Sequence, residues 1–507
     1  MALTAQPLAA QFPRLAPPPP CRASISRAPV ALSYWAGAAS RDSRPRVAVF
    51  SLQPDVDDAG KVFLAFALPD RIRQRLSLVP RLHVATEASV SRALTDARSR
   101  PDSAGLLLGA DYMVTGRLLI LDDQQEVEVV LQRPGKPTPV WQASFRATTS
   151  LRSVEEAVVR GLSRALGLPA PPALPRGWPE SDAAHDAILA GDTHLRSTTP
   201  AGADSAVTQY ELALSLEPGS SVAAARLARA SVTLLERGGE LVRYPGTAGP
   251  RRVNELVARA LSSDSTAEGW TTRAMLARVV DPVRFAGALD AHLRAVSVDR
   301  GDADAEHEYG VTLMRLGDLR GADARFRRAL QLSPGRASTL AALASMELQA
   351  SRWDAACALS NASIAAWPYD PVPYAVRAEA RLRLADARDA FSDAELVRRL
   401  SAGAWTEALR VIVTSGAGNV DEARRQIMGL TAVFLAPGGQ FSVRDAEYLA
   451  QAYLTMGDER RAIEALRRAR PMGADLRAAL RSPRMAPIRR DTAVVRMLAE
   501  SEGRNRE

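Results

Sequence analysis

A small mixed-sheet α/β domain followed by an all-α solenoid is the fold class that this 507-residue sequence predicts. Three observations carry it. Between residues 46 and 168, β-branched apolar runs alternate with segments of helical spacing. From residue 181 onward only helical spacing persists, and small residues recur at a fixed interval. Between the two, the stretch 169–179 holds five prolines, a density that excludes helix and suits a semi-rigid linker. Aromatic content of 5% and an abundance of alanine and leucine favour helix for most of the chain.

The elements follow in order. Residues 1–45 are rich in Pro, Ala, Ser and Arg without periodicity and are expected to be disordered. Order should begin at Arg46–Leu52, a run suited to a buried strand. Residues 61–78 carry Phe63, Phe66, Ala67, Ile72 and Leu76 at helical spacing. A short strand is expected at Leu82–Val84 and a helix from Glu87 to about Arg98. Tyr112–Ile120 and Glu126–Leu131 alternate in the strand period, with a hairpin turn at Asp122-Asp123-Gln124. A third strand at Val140–Phe145 and a helix over 154–166 close the unit, giving the order β-α-β-α-β-β-β-α.

The segments Val47-Ala48-Val49-Phe50, Leu68-Pro69-Asp70-Arg71-Ile72 with Leu76, Leu82–Ala85 with Ser89-Val90, and Leu108–Gly116 carry a resemblance. Over residues 46–168 the chain resembles the TolB-like amino-terminal domain that precedes helical repeats in bacterial signalling proteins. The family's Pro-Phe-Asn-like turn after the first strand is Ser51-Leu52-Gln53-Pro54 here. The resemblance implies a sensor or regulatory role for this domain.

In the helical part the clearest unit is Tyr309-Gly310 with Leu313, then Gly317, Ala322, Phe326, Ala329 and Pro334. Gly310 and Ala322 should let paired helices approach, Phe326 should fill the gap between pairs, and Pro334 should end the second helix. One further period leads from Pro334 to Pro368. Ala206, Tyr210, Ala213 and Pro218 repeat the spacing earlier, and Ala450, Gly457 and Ala462 repeat it later. This pattern resembles tetratricopeptide (TPR) repeats, with Glu306 where tryptophan is common. Six to eight helical pairs over 181–475 are expected, and the resemblance implies a right-handed superhelix with the first helix of each pair on its concave face. Residues 476–507 are expected to cap it as a basic helix and tail. Glu236–Pro250 and Phe434–Gly439 break the phase and read as inserted loops.

Charge and chemistry narrow the function. The net charge is +8, and only Lys61 and Lys136 are lysines among 65 basic residues. The surplus sits in residues 1–45 and 477–507, so the body is neutral and no nucleic-acid face is expected. Cys21 and Cys357 lie in different segments and suggest neither a metal site nor a disulfide framework, with Cys357 read as a small core residue. No run of 18 apolar residues and no signal peptide is read. Neither a P-loop, a nucleophile elbow nor a zinc signature occurs, and His83, His185, His194, His292 and His307 stand apart from cysteines or carboxylates at ligand spacing. Asp55, Asp57 and Asp58 read as a solvated turn.

No catalytic, cofactor or metal residues are therefore assigned. The expected function is a non-enzymatic scaffold or adaptor that binds a protein or peptide on the concave face. Asp304, His307 and Val311, with Arg229 and Arg444, are the expected partner-facing residues. The alternatives are the regulatory half of a cyclase, kinase or winged-helix system, or a periplasmic envelope protein. Cytoplasmic placement is expected, with a periplasmic or membrane-associated one if the chain starts further upstream.

Overall fold

In the computed structural model the described residues are Pro19, Cys21 and 44–503, except 57–63, 80–81, 122–123, 147–150, 170–176, 196–199, 237–240, 264–265, 281–284, 286, 402, 435–442, 470–479 and 481–482. Most of the expected amino-terminal disordered stretch, the hairpin turn at 122–123, the second inserted loop and the proline-dense stretch 170–176 lie outside them.

The α/β unit comprises β1 (Arg46–Val49), β2 (Gln53–Val56), α1 (Leu64–Ser77), β3 (His83–Val84), α2 (Glu87–Asp96), α3 (Pro101–Leu108), β4 (Tyr112–Leu121), β5 (Gln124–Gln132), β6 (Pro139–Arg146) and α4 (Leu151–Ala165). The sheet order is β3-β1-β4-β5-β6. β1 runs parallel to β3 and β4, and the β4-β5-β6 meander is antiparallel. Strand alternation explains the layering. Val47 and Val49 face a core shared with α1 and α4, while Ala48 and Phe50 face one shared with α2 and α3.

Two elements differ from expectation. The segment read as a turn and acidic loop is partly strand: β2 continues along β4 in parallel register, with Asp55 opposite Leu119. A polar strand of this kind has no apolar period to announce it, because its pairing comes from β4. Helix α3 was also unread, although Pro101 opens it and Gly109, at φ 61°, ends it in the left-handed region. Gly116 in the family-like segment has a packing reason, since a Cβ there would lie 2.0 Å from the Glu128 carbonyl oxygen.

Among the described residues eight helical pairs follow. They are α5/α6 (Asp182–Leu195, Pro200–Leu216), α7/α8 (Ser221–Glu236, Ala248–Ser263), α9/α10 (Ala267–Val280, Ala288–Val298), α11/α12 (Ala303–Leu316, Leu319–Leu332), α13/α14 (Ala337–Gln349, Trp353–Ala366), α15/α16 (Pro371–Arg383, Ala387–Leu400), α17/α18 (Ala404–Gly416, Val420–Phe434) and α19/α20 (Val443–Thr455, Glu459–Ala469). A 3₁₀ turn (Pro483–Ile488) and α21 (Thr492–Gly503) end the array.

The backbone itself keeps the period. Gly317, Ser351 and Ala385, each one period from the next, all take positive φ between the helices of a pair. Asp302 and Asp370 cap first helices, and Asp318 and Asp386 cap second helices, two periods apart in each case. A Cβ on Gly310 would meet Phe326 at 2.6 Å, and one on Gly191 would meet Tyr210 at 2.5 Å, so both glycines set how closely helices approach. Ala206, Tyr210, Ala213, Ala322, Phe326, Ala329, Ala450 and Ala462 are all buried. Gly457 takes φ 74°. Glu306, at the usual tryptophan position, is buried against Arg325 at 3.1 Å. In the first inserted loop, Tyr244 is half-buried beneath Arg252.

The cysteines correct the sequence reading. Cys21 and Cys357 form a disulfide, with Cα atoms 6.2 Å apart across 336 residues of sequence. Sequence separation says nothing of distance once Cys21 lies against α14. Cys357 is fully buried, as expected of a core residue.

Candidate functional site

The inner side of the first five pairs lines a partly open cavity of about 730 Å³. Its wall comes from the first helix of successive pairs: Asp192 and Leu195 of α5, Arg226, Arg229, Thr233 and Glu236 of α7, Glu268, Thr271 and Met275 of α9, Asp304, His307 and Glu308 of α11, and Ala337 and Ser338 of α13. Helical geometry explains the set, since residues three, four and seven apart share a face. The roof is the α/β unit, through Asp70 and Gln74 of α1 and Thr86, Glu87 and Ala88 at the start of α2.

Two seams hold this roof. At the first, Glu155 of α4 is fully buried between Arg71 (3.5 Å) and Arg75 (3.2 Å). The Arg71 guanidinium also stacks 4.0 Å from the Trp178 ring. Trp178 donates from Nε1 to His185 Nδ1 at 2.9 Å, and His185 Nε2 faces Glu155 at 3.5 Å. Burial, then Arg71, lowers His185 to about 4, so it is neutral with its proton on Nε2. Trp178, in the last part of the expected linker, is thus a packed seam residue. At the second seam, Ser89 and Thr86 donate to the Pro334 carbonyl at 2.8 and 3.2 Å, and Thr95 donates to the Ala365 carbonyl at 2.9 Å.

The wall is a charge network. Arg278 is 1% exposed and bridges Glu236 (2.8 Å) and Glu308 (2.7 Å), while Arg229 adds a second guanidinium to Glu308 at 3.2 Å. Burial opposes the Glu308 charge, but Arg278 and Arg229 overcome it and hold the carboxyl well below the usual range. Asp304 is lowered chiefly by Arg336. Burial, helped by neighbouring Asp304, pushes Asp302 up to about 6. Burial and then Arg336 lower His307 to about 4, and its Nδ1 lies 3.0 Å from Thr339 Oγ1. Among the lining residues nine carboxylic acids face three arginines, so the cavity is acidic within a basic chain.

Of the expected partner-facing residues, Arg229, Asp304 and His307 meet on this wall. Val311 instead packs against the core around Phe326. Arg444 is exposed and stacks 5.3 Å from the Trp405 ring, away from the cavity lining. Sequence reasoning missed Asp192, Arg226, Glu268 and Glu308. Their signal was present as charges at first-helix positions that share a face with Asp304 and His307. Among the described residues no group of three or more His, Cys, Asp or Glu side chains could hold a metal ion. No helix among the described residues is long and apolar enough to cross a membrane.

No family model matches the chain, and no curated protein sequence matches it. Solved structures similar to it include PilW, a widely conserved type IV pilus biogenesis factor (19% identity, 42% of this chain and 95% of that one, TM-score 0.35). Yeast Tom70 is 14% identical over 87% of this chain and 85% of its own, with a TM-score of 0.37. The Cut9–Hcn1 hetero-tetramer of the APC/C is 15% identical over 62% and 56%, with a TM-score of 0.42.

Proposed function

We propose that the chain is a non-enzymatic interaction scaffold that takes a basic segment of a partner protein onto its concave face. The α/β unit serves as roof and regulatory module. The observation that carries this reading is the acid excess of the cavity, nine carboxylic acids to three arginines, on the face where a solenoid of helical pairs presents its binding surface. Arg229, Asp304 and His307 are the partner-facing residues on this reading. Asp304, with its side chain 54% exposed, is the most available of the five wall carboxylates tied to arginines, Asp192, Glu236, Glu268, Asp304 and Glu308.

The test is fluorescence anisotropy with labelled Arg/Lys-rich and Asp/Glu-rich peptides at low and high salt. Basic peptides should bind, weaken with salt, and weaken several-fold on Asp304→Asn with Glu268→Gln. Charge-independent binding, or equal binding by the double variant, would remove the reading.

One observation favours the envelope alternative over the cytoplasm. The Cys21–Cys357 disulfide suits an oxidising compartment. Thiol trapping in intact cells before lysis tests it: both cysteines should resist alkylation, and alkylation of both places the chain in a reducing compartment.

A further inference from the structure

We propose that the cleft formed by Cys357, Asn361, Arg377 and Arg381 binds an extended peptide backbone, that the chain's own amino-terminal segment at Pro19 and Cys21 occupies it, and that the Cys21–Cys357 disulfide is the latch. This site is separate from the acidic cavity and goes beyond the scaffold reading.

The cleft lies where α14 meets α15 and α16. Asn361, one helical turn after Cys357 on α14, addresses both sides of one residue. Its Oδ1 accepts from the Cys21 N–H at 3.3 Å, and its Nδ2 donates to the Cys21 carbonyl at 3.4 Å. A carboxamide used in this way reads an extended backbone without regard to the side chain. Its orientation is fixed from behind, because Arg377 Nη1 donates to the same Oδ1 at 2.9 Å. Arg377 is 2% exposed and is held by the fully buried Asp393 through two hydrogen bonds of 2.9 and 2.7 Å. Arg381, also buried, bonds Asp393 and the Asp389 carbonyl and turns Nη2 to the Pro19 carbonyl. Asp386 and Asp389 lie 3.6 and 3.7 Å from its guanidinium.

The demands of the cleft match the segment. At Pro19 only a carbonyl is used, and proline has no N–H to leave unmet. At Cys21 both backbone groups are used. A run of prolines at 17–20 favours the polyproline II form, which leaves its carbonyls free for such contacts. Without the segment, the half-buried Asn361 and the buried Arg381 would lose these acceptors, a cost that another peptide could offset by supplying them.

The latch opens by exchange with a dithiol. Cys21 is half-buried and Cys357 fully buried, so the attacking thiolate reaches Cys21 Sγ, and Cys357 leaves as a thiolate that takes a proton. The second thiol of the reductant then displaces Cys21. The dithiol ends as a disulfide, and the protein gains two electrons and two protons as two thiols. After reduction the segment still competes at an effective concentration on the order of mM, but it exchanges with a peptide in solution.

The experiment uses the full chain and a fluorescein-labelled peptide, acetyl-Pro-Pro-Pro-Pro-Ser-Arg-Ala-amide, whose serine prevents mixed disulfides. Tryptic mapping without reductant should first show residues 15–22 linked to 353–377. Anisotropy should then show no saturable binding to the oxidised protein, and saturable binding after dithiothreitol and in Cys21→Ser without it. In the Cys21→Ser background, Asn361→Ala should weaken binding at least tenfold with unchanged circular dichroism. Asn361→Asp, which keeps the size and the Arg377 contact but loses the donor, should weaken it as well. Equal binding by oxidised and reduced protein, binding by neither, or an unlinked tryptic map overturns the proposal. Binding of the basic peptides of the preceding test should not respond to reduction, so the two readings fail separately.

Discussion

Along α5 to α13 the solenoid is covered by a folded unit that stands off it across a charged cavity, whereas at α14 and α15 Pro19 and Cys21 lie directly against it and a sulfur–sulfur bond joins Cys21 to Cys357. The first cover is held by buried ion pairs and hydrogen bonds to helix-end carbonyls, so it depends on the protonation and pairing of many groups. The second depends on one covalent bond and a few backbone contacts. The difference teaches that one array of helical pairs can carry a surface governed by charge and another governed by redox state. The repeat backbone underneath is the same, and the side chains added to it decide which.

The sharpest way to break the charged cover is at Glu155. Glu155→Ala removes the buried carboxylate that Arg71 and Arg75, with side chains 6% and 8% exposed, both contact. Removing one partner of a buried pair costs about 3–5 kcal/mol. Urea unfolding should show a loss of this size, and a change under about 1 kcal/mol, the scale of an exposed pair, means that the seam is wetter than its geometry. The repeat backbone that both covers share is tested by Gly310→Leu. Overpacking costs about 1–3 kcal/mol or more, and a Cβ alone already meets Phe326 at 2.6 Å. Gly429, where a Cβ meets nothing within 4 Å, is the control. Gly429→Ala should leave the melt unchanged or raise it, and equal losses at both positions would show that the register of α11 on α12 is misassigned.

Acid should weaken the charged region. His185, His292 and His307 are lowered from 6.5 to about 4, 3 and 4, mainly by burial. The folded state therefore refuses protons that the unfolded chain accepts. Their contribution is complete above pH 6.5 and falls as pH drops from there through 4. Asp186 and Asp302, raised to about 6 chiefly by burial, act in the opposite sense, since their protonated forms favour the fold as pH falls from 6 toward 3.8. Three histidines with larger displacements outweigh two aspartates, so stability should fall between pH 7 and 5. His292→Gln should flatten that slope, and an unchanged slope assigns the acid sensitivity elsewhere.

Much of this architecture was readable. The strand runs from Val47 and Tyr112 and the repeat spacing that carries Pro334 to Pro368 survive intact, because burial imposes period on sequence wherever an element has one wet and one dry face. Asp55 in β2 was not readable, because the strand Gln53–Val56 carries no apolar alternation of its own and is set by its pairing with β4. Glu308 and Arg278 were unread for a related reason. A charge on the wall of a roofed cavity obeys the same helical spacing as one in solvent, and only the α/β roof makes the difference. Cys21 with Cys357 needed the whole fold. A smaller effect sharpens the periodic part: Ser351 occupies, at φ 58°, the left-handed position that glycine fills one period earlier at 317. Ser351→Gly should stabilise by about 1 kcal/mol, read as a higher urea midpoint, and no change would mean that the strain is relieved locally.

The smallest expected effect concerns cutting the chain between the two units. The proline-dense stretch makes 170–176 the natural site for a nick, and sequence alone suggests that two stable fragments should result, which raises the question whether they part. The seams argue against parting. Arg152 donates to the Pro179 and Glu180 carbonyls at 2.9 and 3.0 Å, Arg71 lies on the Trp178 ring, and Leu189 of α5 belongs to the core of the α/β unit. The hydrogen bonds from Ser89, Thr86 and Thr95 tie the far side of the roof to the array at Pro334, just before α13, and at α14. A single nick removes none of these contacts, and it adds only the entropy of one more chain end. With a protease site placed at 173, the cleaved protein should elute as one species by size exclusion and separate only in denaturant. The disulfide ties residue 21 to 357 across the cut, so the experiment is run on Cys21→Ser. Separation of the fragments from this variant would show that the roof is held by the linker and the latch, and that the cavity beneath it opens freely in solution.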